Sequence, residues 1–475
     1  MAWQELPDEV KWGLVPYTRG MGFEVGCGPK KTFPHFIGVD HLPNTRLYGS
    51  AVQPDMVVKT VTRLDGVASK SWDFVFSPKH PNDTEEVDLA EWWRVLKIGG
   101  HLCIYSAKSV EAAMKPQAGW EMMEDEAVDG GHFQVYRKTA SQKCKPKPKR
   151  PEKTCAVVRL GAFGDLVQAS SIFPGLKAEG WHITLYTAPR GYDVVKHDPN
   201  VDAFVLQDPD QVPIHELGSF WNWLKKRHDR FINLSETVEG NLLVTPDRSM
   251  HAWPHALRHA LLDVNYLEVV HGVAGVPFPP KQRFYATAEE KAWAQLERSK
   301  MGGSKVVLWT LSGSSVHKTW PHLDQIIGRI MMASPDARVV LAGDESCKLL
   351  EQGWEAESRV LKRSGVWSIR QTLAFIDQAD LLVGPETGVM NAAGLHPVPK
   401  IVTLSHSSVE NLTKHWVNCE SLTPKNTPCY PCHQLHYGRE FCPEDPESGT
   451  AKCQADISAD QMWQAMTPYL LKKAA

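Results

Sequence analysis

The sequence predicts an α/β chain of three Rossmann-like domains. Three observations lead there: short apolar, β-branched runs alternate with helix- or loop-like stretches along the 475 residues; glycine turns follow several of those runs; and one Lys/Pro-rich segment, 138–153, interrupts the pattern. At roughly 100–200 residues per domain, the length allows about two to four. Hydrophobic residues make up 42% and charged residues 23%, which excludes a disordered or fibrous chain. With 52 Lys plus Arg against 55 Asp plus Glu the formal charge is −3, so any nucleic-acid binding has to be local. No run approaches the roughly 20 apolar residues of a membrane-spanning helix. Glu5, Asp8 and Glu9 stand where a secretory signal carries Lys or Arg, so the expected location is cytoplasmic.

In 138–153 Pro alternates with like charges, which predicts an extended, self-repelling linker with a contact to phosphate as the alternative. It separates 1–137 from 154–475. In the first part, Gly22-Phe-Glu-Val-Gly-Cys-Gly28 reads as a strand running into glycines, and Phe36-Ile-Gly-Val-Asp40 as a strand ending on an acid. A glycine turn lets the backbone approach a nucleoside cofactor, and a carboxylate at the next strand's tip suits its ribose hydroxyls, so Asp40 is the candidate. A third strand at 72–77, a helix over 85–97 and a fourth strand over 99–105 imply a mainly parallel sheet.

In order, Glu24-Val-Gly-Cys-Gly28, Ile37-Gly-Val-Asp40 and Glu91-Trp-Trp-Arg-Val-Leu-Lys-Ile-Gly-Gly100 resemble the class I methyltransferases that use S-adenosylmethionine. The resemblance implies that Glu24, Gly26 and Gly28 line the cofactor's methionine and ribose side and that Asp40 holds the ribose hydroxyls. The short glycine-to-strand spacing leaves little room for a first helix, and 77–83 carries no catalytic signature. A retained domain that only docks a partner is the competing reading.

The second part opens with Thr154-Cys-Ala-Val-Val-Arg-Leu160 as a strand, Gly161-Ala-Phe-Gly-Asp165 as a sharp turn, and a helix over 166–178. Asp165 therefore stands beyond the carboxyl end of a strand, the edge where open parallel sheets bind ligands. A first-turn acid matching the helix dipole is the simpler alternative. Strands at 182–186, 203–206 and 231–235 complete one doubly wound domain, 154–280; those at 305–310, 338–342, 381–384 and 400–404 build a second, 281–475. Two such domains leave a cleft suited to two substrates.

Loops at strand ends give that cleft its chemistry. Leu311-Ser-Gly-Ser-Ser-Val-His-Lys-Thr-Trp-Pro321 offers backbone donors around Ser314 and Ser315 and a cation at Lys318, a set suited to pyrophosphate. Pro385-Glu-Thr-Gly-Val-Met-Asn-Ala-Ala393 begins a helix at Thr387 and Gly388 with its positive end toward the same cleft. Gly343-Asp-Glu345 places Asp344 and Glu345 where a ribose can be gripped. Each loop alone is an ordinary connector; their recurrence at successive strand ends singles them out.

The blocks Arg159-Leu-Gly-Ala-Phe-Gly-Asp165, Ser312-Gly-Ser-Ser-Val-His-Lys-Thr-Trp-Pro321 and Gly384-Pro-Glu-Thr-Gly-Val-Met-Asn-Ala-Ala393 resemble the bacterial lipopolysaccharide heptosyltransferases, inverting glycosyltransferases of the GT-B architecture. The resemblance implies a nucleotide-sugar donor, Asp165 as general base, Lys318 with Thr387 and Gly388 on the donor diphosphate, and Asp344 or Glu345 near its ribose. The family's helix-start Asp is Glu386 here and its following His is Asn391, so the sugar is not inherited and Glu386 joins the donor-binding candidates. Glu236, after the 231–235 strand, is a second base or acceptor-positioning candidate. An acceptor hydroxyl is a poor nucleophile and needs such a carboxylate to take its proton. The leaving diphosphate gains charge that backbone amides and Lys318 can stabilise without a metal.

His251, Trp253, His255, Arg258 and His259 crowd one stretch, either an acceptor-facing surface or a helical face with partly buried histidines. Cys429-Tyr-Pro-Cys432 with Cys442 and Cys453 suits a structural zinc ion, with His433 or His436 as substitute ligands; disulfides and unlinked buried thiols compete. The loop Ser405-His-Ser-Ser-Val-Glu-Asn411, with His415 and Trp416, is a donor contact or a plain connector, and 460–471 reads as a helix that packs back on the protein. Together these features favour a glycosyltransferase acting on a glycan, a lipid-linked glycan or a modified nucleic-acid base. A bifunctional enzyme that also methylates and a non-catalytic nucleotide- or glycan-binding protein are the alternatives.

Overall fold

The computed structural model describes residues 6–28, 30–40, 54–58, 60–61, 64, 66–78, 89–115, 117–141, 143–147, 149–235, 237, 242–278, 284–313, 318–436 and 442–471. It is a mixed α/β protein built on three sheets. Two compact units account for the chain: Met1–Ala156 with Val205–Phe231, and Val157–Phe204 with Ile232–Ala475.

In the first unit β1 (Gly22–Val25), β2 (Ile37–Asp40), β3 (Met56–Val57), β4 (Trp72–Ser77), β5 (Leu96–Ser106), β6 (Trp120–Val128) and β7 (Gly131–Lys138) form one sheet of order β3-β2-β1-β4-β5-β7-β6. Pairing is parallel through β5, and β7 runs antiparallel to both β5 and β6. The β6–β7 hairpin is absent from the sequence reading although Asp129-Gly130, with φ of 20° and 77°, is a hairpin signal. Its alternation is masked by the acids of β6, Glu121, Glu124, Asp125 and Glu126.

Those acids also correct the expected self-repelling linker. Lys145 bridges in parallel to Glu121, with Lys145 N donating to Trp120 O at 3.0 Å and Met122 N donating to Lys145 O at 2.9 Å. Lys147 reaches Glu124 at 2.6 Å. Like charges that would repel in isolation are offset by the acidic edge, so part of the segment lies along β6 as a strap. Val205–Phe231 packs within the same unit: Trp12 and Phe220 ring centroids are 5.9 Å apart, Gln211 Nε2 donates to Val15 O at 2.6 Å, and Arg227 makes a two-pronged pair with Glu126 at 2.5 and 2.8 Å.

The remaining strands are β8 (Thr154–Arg159), β9 (His182–Thr187), β10 (Ala203–Leu206) and β11 (Arg230–Asn233), in the order β10-β9-β8-β11. They are followed by β12 (Lys305–Thr310), β13 (Ala337–Ala342), β14 (Val360–Lys362), β15 (Leu381–Pro385), β16 (Lys400–Thr403) and β17 (Cys419–Leu422). These six form an all-parallel sheet of order β14-β13-β12-β15-β16-β17. The edge strands β14 and β17 are too short to stand out as apolar runs. The helix expected over 166–178 is broken into Phe163–Ala169, a tight turn at Ser170–Ile172, and Phe173–Ala178, with Ser170 Oγ donating to Val167 O and a proline opening the last piece.

Reciprocal caps start the helices around this sheet: Thr287 with Glu290, Ser368 with Gln371, and Ser458 with Gln461. The Ala459–Leu470 helix sinks Met462, Ala465, Met466 and Leu470 into the core beside Ile326, Ile327 and Ile330 of the Leu323–Ala333 helix, as expected for 460–471. Among the described residues no helix is long and apolar enough to cross a membrane.

A buried ion pair ties three helices of the second unit together. Arg370, with 6% of its side chain exposed, donates to both Glu290 oxygens at 2.5 and 2.7 Å, and to the carbonyls of Asp193, Val194 and Tyr285 at 2.9–3.1 Å. Removing the guanidinium strands a carboxylate and three carbonyls, so R370M is expected to cost about 3 kcal/mol. Urea unfolding checks this; an unchanged midpoint would show the network to be dispensable.

Candidate active site

The chain lays down β12, then β13 and β14 on one side, and returns to place β15, β16 and β17 on the other. The order reverses between β12 and β15, and in open parallel sheets this opens a crevice at the carboxyl ends of the strands. The loops leaving β12 and β15 therefore emerge side by side, one carrying Lys318 and the other Glu386 and Thr387.

Lys318 is 8% exposed, and its stem lies over Gly313, where an added Cβ would come within 2.9 Å of Lys318 Cδ. Its ammonium has no hydrogen-bond or ion-pair partner among the described residues. Lys400, the other buried lysine among the described residues, shows what a structural lysine looks like: its Nζ donates to the carbonyls of His396, Val398 and Val417 at 2.9, 2.8 and 2.6 Å. Burial draws the Lys318 pKa below its ordinary value, opposed by the charges of Glu386 and Asp165.

Glu386 is buried at 3% exposure. Its Oε1 accepts from Ser405 N and Oγ, both at 2.6 Å, and from His406 N at 2.9 Å, while Oε2 lies 3.3 Å from His406 Nε2. Burial alone would raise this carboxyl; His406 and Lys318 hold it below its usual range. Burial also pushes His406 down to about 3 against the pull of Glu386. Glu386 thus fixes the loop after β16.

Asp165 sits in the first turn of the Phe163–Ala169 helix. Its Oδ2 accepts from Ala162 N at 3.0 Å and meets Arg159 Nη2 at 3.2 Å; 22% of the Asp165 side chain is exposed, against 3% for Arg159. The capping role and the strand-end position coexist. Gly164 and Gly388 bring this helix start against that of Gly388–Ala393: a methyl on Gly164 would lie 2.9 Å from Gly388 Cα, and one on Gly388 would lie 2.2 Å from the Phe163 ring. Thr387 caps the second helix through Met390 N at 3.3 Å and stands 3.5 Å from Thr310 Oγ1.

Asp344 and Glu345 follow β13 and have local partners. Asp344 Oδ1 accepts from Ser346 N, Ser346 Oγ and Cys347 N at 3.0, 2.6 and 3.2 Å, and the exposed Glu345 pairs with Lys348 at 2.5 Å. Ser314, Ser315 and Glu236 lie outside the described residues. Arg159 has no role in the sequence reading, where the available signal is a cation at a strand end just before an acid-bearing turn.

The stretch from His251 to His259 forms a turn, Ser249–Ala252, and a helix, His255–Leu262, that grip the cysteine-bearing segment. Arg258 donates to the carbonyls of Cys432 and Trp253, His255 Nε2 meets Pro431 O at 2.9 Å, and Val244 pairs with Gln434 through bonds of 2.9 Å at His433 O and Leu435 N. None of the ten cysteines is in a disulfide. Burial, reinforced by neighbouring thiols, pushes Cys432 up to about 12 and Cys442 up to about 11 and raises Cys453 as well, which places Cys429, Cys432, Cys442 and Cys453 within electrostatic reach of one another.

In the first unit the glycine turn after β1 has Gly26 and Gly28 at φ of 76° and 58°, a region open to glycine. Gly28 N donates to Asp40 Oδ2 at 3.1 Å, and Glu24 accepts from Thr32 N and Oγ1, both at 2.8 Å. Burial raises Glu24 to about 7 despite those bonds and Lys31. Because the folded carboxyl keeps its proton where the unfolded one has lost it, this contribution to stability is full below about pH 4.5 and lost as pH rises through 7. The loss amounts to about 3 kcal/mol. Denaturant titrations at pH 4.5 and 8 are expected to show E24Q gaining by that amount relative to the parent; a pH-independent difference would refute it.

No protein-family model matches the chain. No curated protein matches it either. Among solved structures, a glycosyl transferase family 9 protein from Veillonella parvula is 16% identical, with 68% of this chain and 98% of that chain covered at a TM-score of 0.49. The ADP-heptose lipopolysaccharide heptosyltransferase II of E. coli is 16% identical over 67% of this chain and 99% of its own, at 0.46. The iron-containing dodecameric glycosyltransferase TibC of enterotoxigenic E. coli is 12% identical over 71% and 81%, at 0.45. All three likenesses are distant.

Proposed function

We propose that the second unit is an inverting glycosyltransferase that moves a sugar from a nucleotide-sugar donor to an acceptor hydroxyl. One observation carries the reading: the buried Lys318 ammonium, without a direct partner among the described residues, stands within electrostatic reach of Asp165 and Glu386 where the strand order reverses. A cation so placed suits the diphosphate of a nucleotide sugar, with backbone donors around Ser314, Ser315, Thr387 and Gly388 completing the grip and Asp344 or Glu345 near the ribose. In this scheme 154–280 carries the acceptor and 281–475 the donor, and Glu236 helps position the acceptor.

Asp165 takes the proton of the acceptor hydroxyl as its oxygen attacks the anomeric carbon. The bond from that carbon to the diphosphate oxygen breaks on the opposite face, so the centre inverts, and Lys318 meets the charge gathering on the leaving group. Arg159 holds Asp165 and balances its charge. Glu386 acts at one remove, by fixing Ser405 and His406 and balancing Lys318. No zinc ion is assigned to Cys429, Cys432, Cys442 and Cys453, because no three of their sulfurs lie within 4.8 Å of one another.

A mass-spectrometric screen of nucleotide-sugar turnover tests the reading, with ADP-heptose, the donor named for an E. coli neighbour, as a natural first member of the panel. D165N is expected to lower kcat about 10²–10⁴-fold, and K318M to lower kcat/KM about 10²–10³-fold. Parent-rate transfer by D165N would remove the base assignment.

For the first unit we infer S-adenosylmethionine binding. The strand order with its antiparallel β7, and the glycine turn facing Asp40, support it. Calorimetric titration of the full chain is expected to show binding that D40A abolishes; undiminished affinity in D40A would dismiss the site.

A further inference from the structure

Three side chains outside the proposed catalytic groups meet where the His255–Leu262 helix touches the cysteine-bearing segment. His259 Nδ1 lies 3.0 Å from His433 Nε2, His433 Nε2 lies 3.7 Å from Asp263 Oδ1, and His259 Nε2 lies 3.9 Å from Asp263 Oδ2. One ligand atom from each falls within 4.8 Å of the other two, and among the described residues no other group of three or more does so. An ion bound at about 2.0–2.1 Å in tetrahedral geometry would hold its ligand atoms roughly 3.3 Å apart, between the two shortest of these separations. The i, i+4 spacing of His259 and Asp263 puts both on one side of the helix end.

The surroundings are organised for the same end. The His259 and His433 ring centroids lie 5.3 Å apart with the ring planes 21° from parallel. Ser408 Oγ donates to Asp263 Oδ1, which orients the carboxylate as outer partners orient metal ligands. His433 is fully buried, its Nδ1 has no hydrogen-bond partner, and its backbone sits at φ 51°, a conformation disfavoured for a residue with a side chain. Two imidazoles nitrogen to nitrogen can share one proton at most; a cation takes lone pairs from both and the charge of Asp263 together.

We propose that His259, Asp263 and His433 bind a divalent first-row transition cation, at a site separate from the four cysteines and with a coordination position left for water or an oxygen of a bound molecule. Two imidazoles and one carboxylate suit zinc, cobalt or nickel and disfavour calcium and magnesium.

Cobalt(II) titration of the chelator-treated full chain, followed by absorbance and metal analysis, tests this. A site of nitrogen and oxygen ligands is expected to give visible d–d bands without sulfur-to-metal charge transfer in the near ultraviolet. That component should persist in a C429S/C432S double variant. It should fall by one equivalent per chain in H259Q and in D263N, each shown by circular dichroism and thermal melting to be folded. Thiolate bands alone, or a nitrogen–oxygen component unaltered in both variants, would overturn the assignment.

Discussion

The pairing of β12 with both β13 and β15 is the constraint on which the site depends. Once Val307, Leu308 and Trp309 align with Leu381, Leu382 and Val383, the loops after these strands must leave the sheet together. That pairing is tight because Gly384 has no side chain: a Cβ there would lie 2.0 Å from Thr310 Oγ1. Generic backbone hydrogen bonding therefore places the chemistry, and loop residues separated by about seventy positions in sequence become neighbours. Lys318, Glu386 and Thr387 owe their proximity to this reversal.

Burial then gives those groups their character. In the same unit, one buried lysine is satisfied by three carbonyls, while the other is balanced only through space. Glu386 is satisfied on one oxygen by the Ser405-His406 loop, so it is held rigidly without being exposed. The segment carrying Cys432 and His433 belongs to the same arrangement, since His433 feels the charges of both Asp263 and Glu386. The tail is thereby joined to Val244, Arg258 and His406, with His433 N donating to His406 O at 3.0 Å.

Much of the fold was legible because its strands are continuous apolar runs ended by glycine turns. β4, β10 and β12 stand where the sequence put them, and the reversal at β15 follows from ordinary α/β connectivity. The β6–β7 hairpin was not read because acids interrupt the alternation of β6, and β14 and β17 were missed because three or four residues carry too little periodicity. In the site, Asp165, Lys318 and Thr387 were legible as chemistry-bearing residues at strand ends. What was not legible was pairing at a distance: the hold of Glu386 on Ser405, and the meeting of His259 with His433, 174 positions later. Such partners share no local pattern; only the folded path of the chain brings them together.

The contact of Gly164 with Gly388 has a geometric consequence. Two helix starts separated only by hydrogen atoms have no spacer that thermal motion can compress or rotate away. Asp165, one residue along one helix, and Thr387, one residue before the other, are therefore set at a fixed gauge by main-chain atoms. Any alanine there acts as a wedge, so this seam fixes how closely the Asp165 carboxylate can approach the neighbouring helix cap, whatever the more adaptable loops around it do.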